Sequence, residues 1–155
     1  MKELSNHIIT ESEKQEICTW EYPGPYAIYN LPPYEQMRQQ QMGFCHPVKA
    51  KNYRAWYWGA QLVGFTNLKE EEQAVFLGIG VAPGSCNQGY GSMILEECYQ
   101  LSRQLFPGKP LYLEVRTWNE RAVRCYQRSD FQIEGEPFSQ ETGIGPGTFF
   151  RMVRR

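Results

Sequence analysis

Between Ala74 and Val81 the apolar residues Val75, Leu77, Ile79 and Val81 recur at every second position, the period of a β-strand. From Gly89 to Phe106 the period changes: Ile94, Cys98, Leu101 and Leu105 follow the four-three-four spacing of one buried helix face. A strand that turns almost at once into a long amphipathic helix restricts the chain to architectures in which helices cover a sheet. The spacing predicts a strand over 74–81 and a helix over 89–106, ended by Pro107-Gly108. The alternate face of the strand carries Gly78 and Gly80. Glycines placed so mark a bulge or a close approach by another backbone.

The rest of the pattern extends that sheet. Asn52–Trp58 and Leu62–Asn67 are β-rich runs joined by Gly59-Ala60, a hairpin signal. Leu111–Arg116 is a second core strand, with Leu111, Leu113 and Val115 alternating against Tyr112, Glu114 and Arg116. Asn119 can cap a helix that runs to Arg128. Phe131–Gly135 and Thr148–Val153 read as strands flanking a Gly- and Glu-bearing loop. In the Pro- and Tyr-rich first third, a helix is expected from near Pro33 to Gly43. The order fits a mixed sheet flanked by helices. At 155 residues the chain is expected to form one domain.

Composition narrows the function. The formal net charge of -1 argues against a general nucleic-acid binder, which needs a basic surface to displace counterions. No apolar run is long enough to span a membrane, and Met1–Glu16 lacks the apolar core of a signal peptide. Five widely spaced cysteines without a Cys-x-x-Cys pair fit reduced thiols and a cytoplasmic protein. The two histidines, His7 and His46, have no helical partner, and Cys45-His46 alone cannot build a tetrahedral metal site. A Ser-His-Asp triad is equally hard to assemble around a single aspartate, Asp130.

The chemistry is expected where the strand over 74–81 meets the helix. A helix N-terminus presents unpaired N–H groups and a partial positive charge, so it can hold phosphate oxygens without a lysine. A plain tight turn fits the same residues. The loop lacks the Gly-Lys-Ser/Thr of a nucleoside-triphosphate loop, because Gly91 is followed by Ser92-Met93. It also lacks the glycine order of a dinucleotide fold.

Ile79–Leu95 (IGVAPGSCNQGYGSMIL) resembles the acyl-coenzyme A-binding motif of the GNAT superfamily of N-acetyltransferases, in which an Arg/Gln-x-x-Gly-x-Gly/Ala loop wraps the pyrophosphate. Cys86-Asn87-Gln88-Gly89-Tyr90-Gly91 is the matching stretch, with Cys86 in place of the usual Arg or Gln. Leu111–Phe131 (LYLEVRTWNERAVRCYQRSDF) resembles the family's second motif: Asn119, Ala122 and Tyr126 match, and Asp130 stands where Gly is common. Leu113-Glu114-Val115-Arg116 followed by Asn119 and Tyr126 is most like the ribosomal-protein N-terminal acetyltransferase subgroup. The two motifs cover about a third of the chain, in the family's order.

The resemblance implies a GNAT-like fold with a mostly antiparallel central sheet, and direct acetyl transfer from acetyl-coenzyme A to a primary amine. An amine is largely protonated at neutral pH, so the site must remove a proton, stabilise an oxyanion and protonate the departing thiolate. Glu114 is then the expected base, directly or through water, and Tyr126 the acid. The N–H near Ile79 would polarise the thioester, with pantetheine lying along Gly78–Val81, Gly80 included. Gln88, Gly89, Tyr90, Gly91 and Ser92, with Cys86 and Asn87, would cradle the phosphates; Asn119, Ala122 and Cys125 would line the arm. No metal is expected.

Each residue also has a structural reading. Glu114 can pair with Arg116 or a neighbouring strand, Tyr126 can be a core tyrosine, Asn119 an N-cap, and Cys86 a small loop residue. Arg121, Arg124 and Arg128 form a solvated face or reach the 3′-phosphate. Trp20–Tyr34 walls an acceptor pocket or packs on the sheet, and Glu21, Glu134, Glu136 and Glu141 attract an amine or are solvated. The acceptor is a small-molecule or peptide amine, and the assembly a monomer or homodimer. The alternatives are a non-catalytic acyl-coenzyme A sensor on the same fold, or transfer of another acyl group or to a peptide N-terminus.

Overall fold

The computed structural model describes residues 2–85 and 88–155. Its strands are β1 (Leu4–Ile8), β2 (Tyr53–Trp58), β3 (Gln61–Glu70), β4 (Val75–Val81), β5 (Leu111–Arg116), β6 (Gln132–Ile133), β7 (Phe138–Thr142) and β8 (Gly145–Arg154). The helices are α1 (Glu11–Ile17), α2 (Tyr34–Gln40), α3 (Tyr90–Leu105) and α4 (Glu120–Arg128), with short 3-10 turns between them. Among the described residues the eight strands form a mostly antiparallel sheet in the order β1-β2-β3-β4-β5-β8-β6, with β7 also on β8. The chain divides into two compact units, residues 1–67 with 79–90 and residues 68–78 with 91–155.

In the first unit, β1 pairs with β2 and β2 with β3, all antiparallel, and Gly59 makes the expected hairpin turn at φ +60°. A register shift at Trp56/Tyr57 interrupts the β2–β3 ladder. Trp56 is fully buried, and its indole N–H donates to Thr66 Oγ1 at 2.8 Å, which satisfies both polar groups. Ile9, Ile17, Met37, Phe44, Ala55 and Leu62 form the core. The sequence pattern did not announce β1, an exposed edge strand, or α1. The signal for α1 was nevertheless there: Thr10 and Glu13 form a capping box that satisfies two of the orphan donors at its start.

In the second unit, β4 and β5 run parallel, paired at Val75–Leu111 and Phe76–Tyr112, and β5 pairs antiparallel with β8 over its whole length. Leu111, Leu113 and Val115 are buried, but so are Tyr112 and Arg116 of the alternate face, and only Glu114 is half-buried. The buried face of α3 is rotated from the expected one: Ile94, Leu95, Cys98 and Ser102 are buried, and Leu105 at the last turn is 52% exposed. The expected strand over 131–135 is reduced to Gln132–Ile133. The loop expected after it contains β7, whose polar Phe-Ser-Gln-Glu-Thr sequence is a strand because β8 pairs with it from Phe138–Phe149 to Thr142–Gly145.

No described helix is long and apolar enough to cross a membrane. Among the described residues Cys18, Cys45, Cys98 and Cys125 are outside any disulfide, and no group of three or more His, Cys, Asp or Glu side chains is placed to hold a metal ion.

Candidate active site

The first motif is divided between the two units. In the first lie Ile79, Gly80 and Val81 at the end of β4, the 3-10 turn Pro83–Ser85, and Gln88, Gly89 and Tyr90. Cys86 and Asn87 lie outside the described residues. The turn is anchored from below: Ala82 N–H donates to Val63 O at 2.8 Å, and Gln61 Nε2 donates to the buried Ser85 Oγ at 3.2 Å. Gln88 Nε2 folds back to donate to Gly84 O at 2.9 Å. Gly89 has φ +84°, the left-handed conformation that favours glycine, and a Cβ there or at Gly84 would meet nothing within 4 Å. Open backbone just before a sixteen-residue helix is a surface that phosphate oxygens can approach. The Tyr90 ring packs near Trp58, centroid to centroid 6.0 Å.

Gly80 also has a structural reason to be glycine. A Cβ at this position would collide with the Phe65 ring, so the glycine admits a side chain of the neighbouring hairpin. Tyr22, in the aromatic stretch, donates its hydroxyl to Val81 O at 2.7 Å, a contact with the end of β4 that no local pattern signals. Trp20 packs on Phe65 and the core, and with Gln15, Glu21, Asn30, Leu31 and Tyr34 it lines a cleft of about 480 Å³.

The second unit holds Gly91, Ser92, Glu114, Asn119, Ala122, Cys125 and Tyr126. Asn119 is buried and caps α4, accepting from Ala122 N–H at 3.2 Å through Oδ1. Ser92 in the first turn of α3 and Cys125 of α4 meet at 3.9 Å, Oγ to Sγ, which joins residues of the two motifs. Tyr126 is half-buried, its ring edge-on to Phe131 at 6.4 Å. Glu114 is half-buried on β5; Gln140 Nε2 of β7 donates to its Oε1 at 3.2 Å. Arg116 is committed elsewhere, stacked 4.9 Å from the Phe149 ring centroid and donating to Thr142 Oγ1. Gln140 escaped the sequence reading because β7 itself did.

Other expected residues serve the structure. Arg121, Arg124 and Arg128 are exposed, and Arg124 pairs with Glu120 at 3.8 Å. Glu134 is held by Arg155 and Arg151, and the neighbouring Arg155 guanidinium keeps its carboxyl below the usual glutamate range. Asp130 has φ +69° after α4; Phe131 N–H bonds Tyr126 O and Asp130 N–H bonds Gln127 O, a Schellman ending that glycine fills most easily.

No curated protein matches the sequence. Many solved structures share its fold. An acetyltransferase of the GNAT family from Bacillus anthracis superposes with TM-score 0.79 at 13% identity, covering 99% of this chain and 96% of the other. A chimeric spermidine N-acetyltransferase from Vibrio cholerae gives 0.76 at 18%, covering 97% and 93%. The ribosomal-protein alanine N-acetyltransferase from Escherichia coli gives 0.67 at 17%, covering 97% and 92%. The family model for the acetyltransferase (GNAT) family matches residues 14–131. With that match over most of its length, the chain belongs to the GNAT acetyltransferase family.

Proposed function

We propose that this protein transfers an acetyl group from acetyl-coenzyme A to a primary amine. The observation that carries the reading is the second motif as it is folded: a buried Asn119 caps α4, Cys125 meets Ser92 of the first motif, and Glu114 and Tyr126 lie in the same unit. Gln88, Gly89 and the start of α3 would hold the pyrophosphate, and the backbone of Ile79–Val81 the pantetheine arm. When bound, acetyl-coenzyme A supplies a thioester carbonyl that a neutral amine can attack. Glu114 takes the proton from the ammonium, directly or through water, and Tyr126 gives a proton to the departing sulfur. The N–H near Ile79 donates to the carbonyl oxygen as charge grows there.

Carboxylate and aromatic rings around the Glu21 cleft support a cationic acceptor, whether a small polyamine or a peptide N-terminus. In this reading the whole chain is one catalytic domain in the cytoplasm, a monomer or homodimer, working without nucleic acid, membrane or metal.

Calorimetry with acetyl-coenzyme A, followed by thiol release with spermidine and an alanine-initiated peptide, tests the proposal. Tyr126→Phe should lower kcat about 100-fold or more and leave acetyl-coenzyme A affinity unchanged. Parental turnover in that variant removes Tyr126 as the acid. Binding without turnover on any amine selects the non-catalytic sensor, and no binding ends the enzyme reading.

A further inference from the structure

We propose that Gln140 is a positioning residue for the Glu114 carboxylate; this rests on the reading of Glu114 as the base. Among the described residues Gln140 is the hydrogen-bond partner of that side chain, Nε2 to Oε1 at 3.2 Å. The cations that strand pairing brings near are turned to other tasks. Arg151, opposite Glu114 in register on β8, lies over the Tyr112 ring at 3.7 Å and reaches Glu134 at 3.4 Å. Arg116, two residues along β5, is spent on Phe149 and Thr142. Glu114 is therefore held by a neutral donor. An amide fixes the rotamer of the carboxylate without placing a second charge beside it.

The hairpin is built to present this amide. Along β7 the half-buried residues are Phe138, Gln140 and Thr142, while Ser139 and Glu141 are exposed. Phe138 stacks on Phe149 at 6.1 Å, and Thr142 closes the turn by donating to Gly145 O at 2.7 Å and receiving Arg116. Between these two fixed points stands Gln140, paired with Gly147, a residue of β8 without a side chain. A Cβ at 147 would strike the Arg116 guanidinium, so the glycine leaves room for Arg116 against the hairpin, where it meets Phe149 and Thr142. A carboxylate aimed in advance need not be ordered during the reaction, which is where a positioning residue acts on kcat.

The test is a double-mutant cycle of Gln140→Met, similar in length but unable to donate, with Glu114→Gln. Kinetics use acetyl-coenzyme A and whichever of spermidine or the alanyl peptide is turned over. Gln140→Met should lower kcat about 10-fold with the KM for acetyl-coenzyme A unchanged, and should lower it no further in the Glu114→Gln background. Gln140→Glu, which keeps the shape but replaces the donor with a like charge, should also lower kcat. The side-chain amide protons of Gln140, assigned by their loss in Gln140→Met, should move upfield in Glu114→Ala. Parental kcat in both Gln140 variants, or an equal loss with and without Glu114, overturns the positioning role. Parental turnover in Glu114→Gln instead overturns the base reading, and the proposal with it.

Discussion

Asp130 occupies a left-handed conformation at φ +69°, where a β-carbon crowds the following carbonyl. Its salt bridge to Arg154 is long, 3.9 Å, and the Asp130 carboxylate is 79% exposed, so it offsets little of that strain. Asp130→Gly should stabilise the protein by about 1 kcal/mol, or a melting temperature higher by about 2–4 °C in a thermal unfolding scan. Glu13 presents the opposite case, a buried side chain whose partners outweigh its surroundings. Burial pushes its carboxyl up, but the hydroxyl of Tyr57, the N–H of Thr10 and the imidazole of His7 together hold it below the usual 4.5. A carboxyl with a lower value in the folded chain contributes stability above the unfolded value and loses it as the pH falls through the folded one. Thermal stability should therefore fall as the pH drops below about 4.5, and Glu13→Gln should flatten that decline at a cost of roughly 1–3 kcal/mol near neutrality. Melting temperatures of both proteins measured across the acid range check it.

The strand β4 was legible because an apolar residue at every second position survives any context. The role of Gly80 within it was not. Its missing side chain is filled by Phe65 of β3, a fact of pairing between strands. Gly80→Ala should cost roughly 1–3 kcal/mol in chemical denaturation, and Phe65→Leu in the same chain should recover part of the loss. The helix α4 and its Asn119 cap were readable from a handful of adjacent residues, whereas α3 showed its length but not the orientation of its buried face. Strand β7 had no apolar alternation to read, since Gln140 and Thr142 of its inner face are polar. With it went the Gln140 amide that donates to Glu114.

Across the molecule, the two motifs far apart in the sequence are joined in the second unit at Ser92 and Cys125. A ligand that binds the folded chain alone stabilises it by mass action, by about 2.7 kcal/mol at a hundred times its dissociation constant. Acetyl-coenzyme A at that excess should raise the melting temperature by roughly 5–10 °C. ATP and NAD at equal concentration should leave it in place, and equal shifts with all three would contradict a site specific for coenzyme A.

The sequence by itself determined the central strand–helix–strand–helix order, the two motifs and the family they belong to. Periodicity, capping residues and glycine turns act over a few neighbouring positions, and a single chain displays them in full. Only the tertiary structure decided which side chains serve the candidate catalytic groups. Gln140 reaches Glu114, Tyr22 reaches Val81 and Phe65 fills the space above Gly80 because separate segments are packed together. Such contacts depend on register and on which neighbour yields room, and neither is written into the residues that make them.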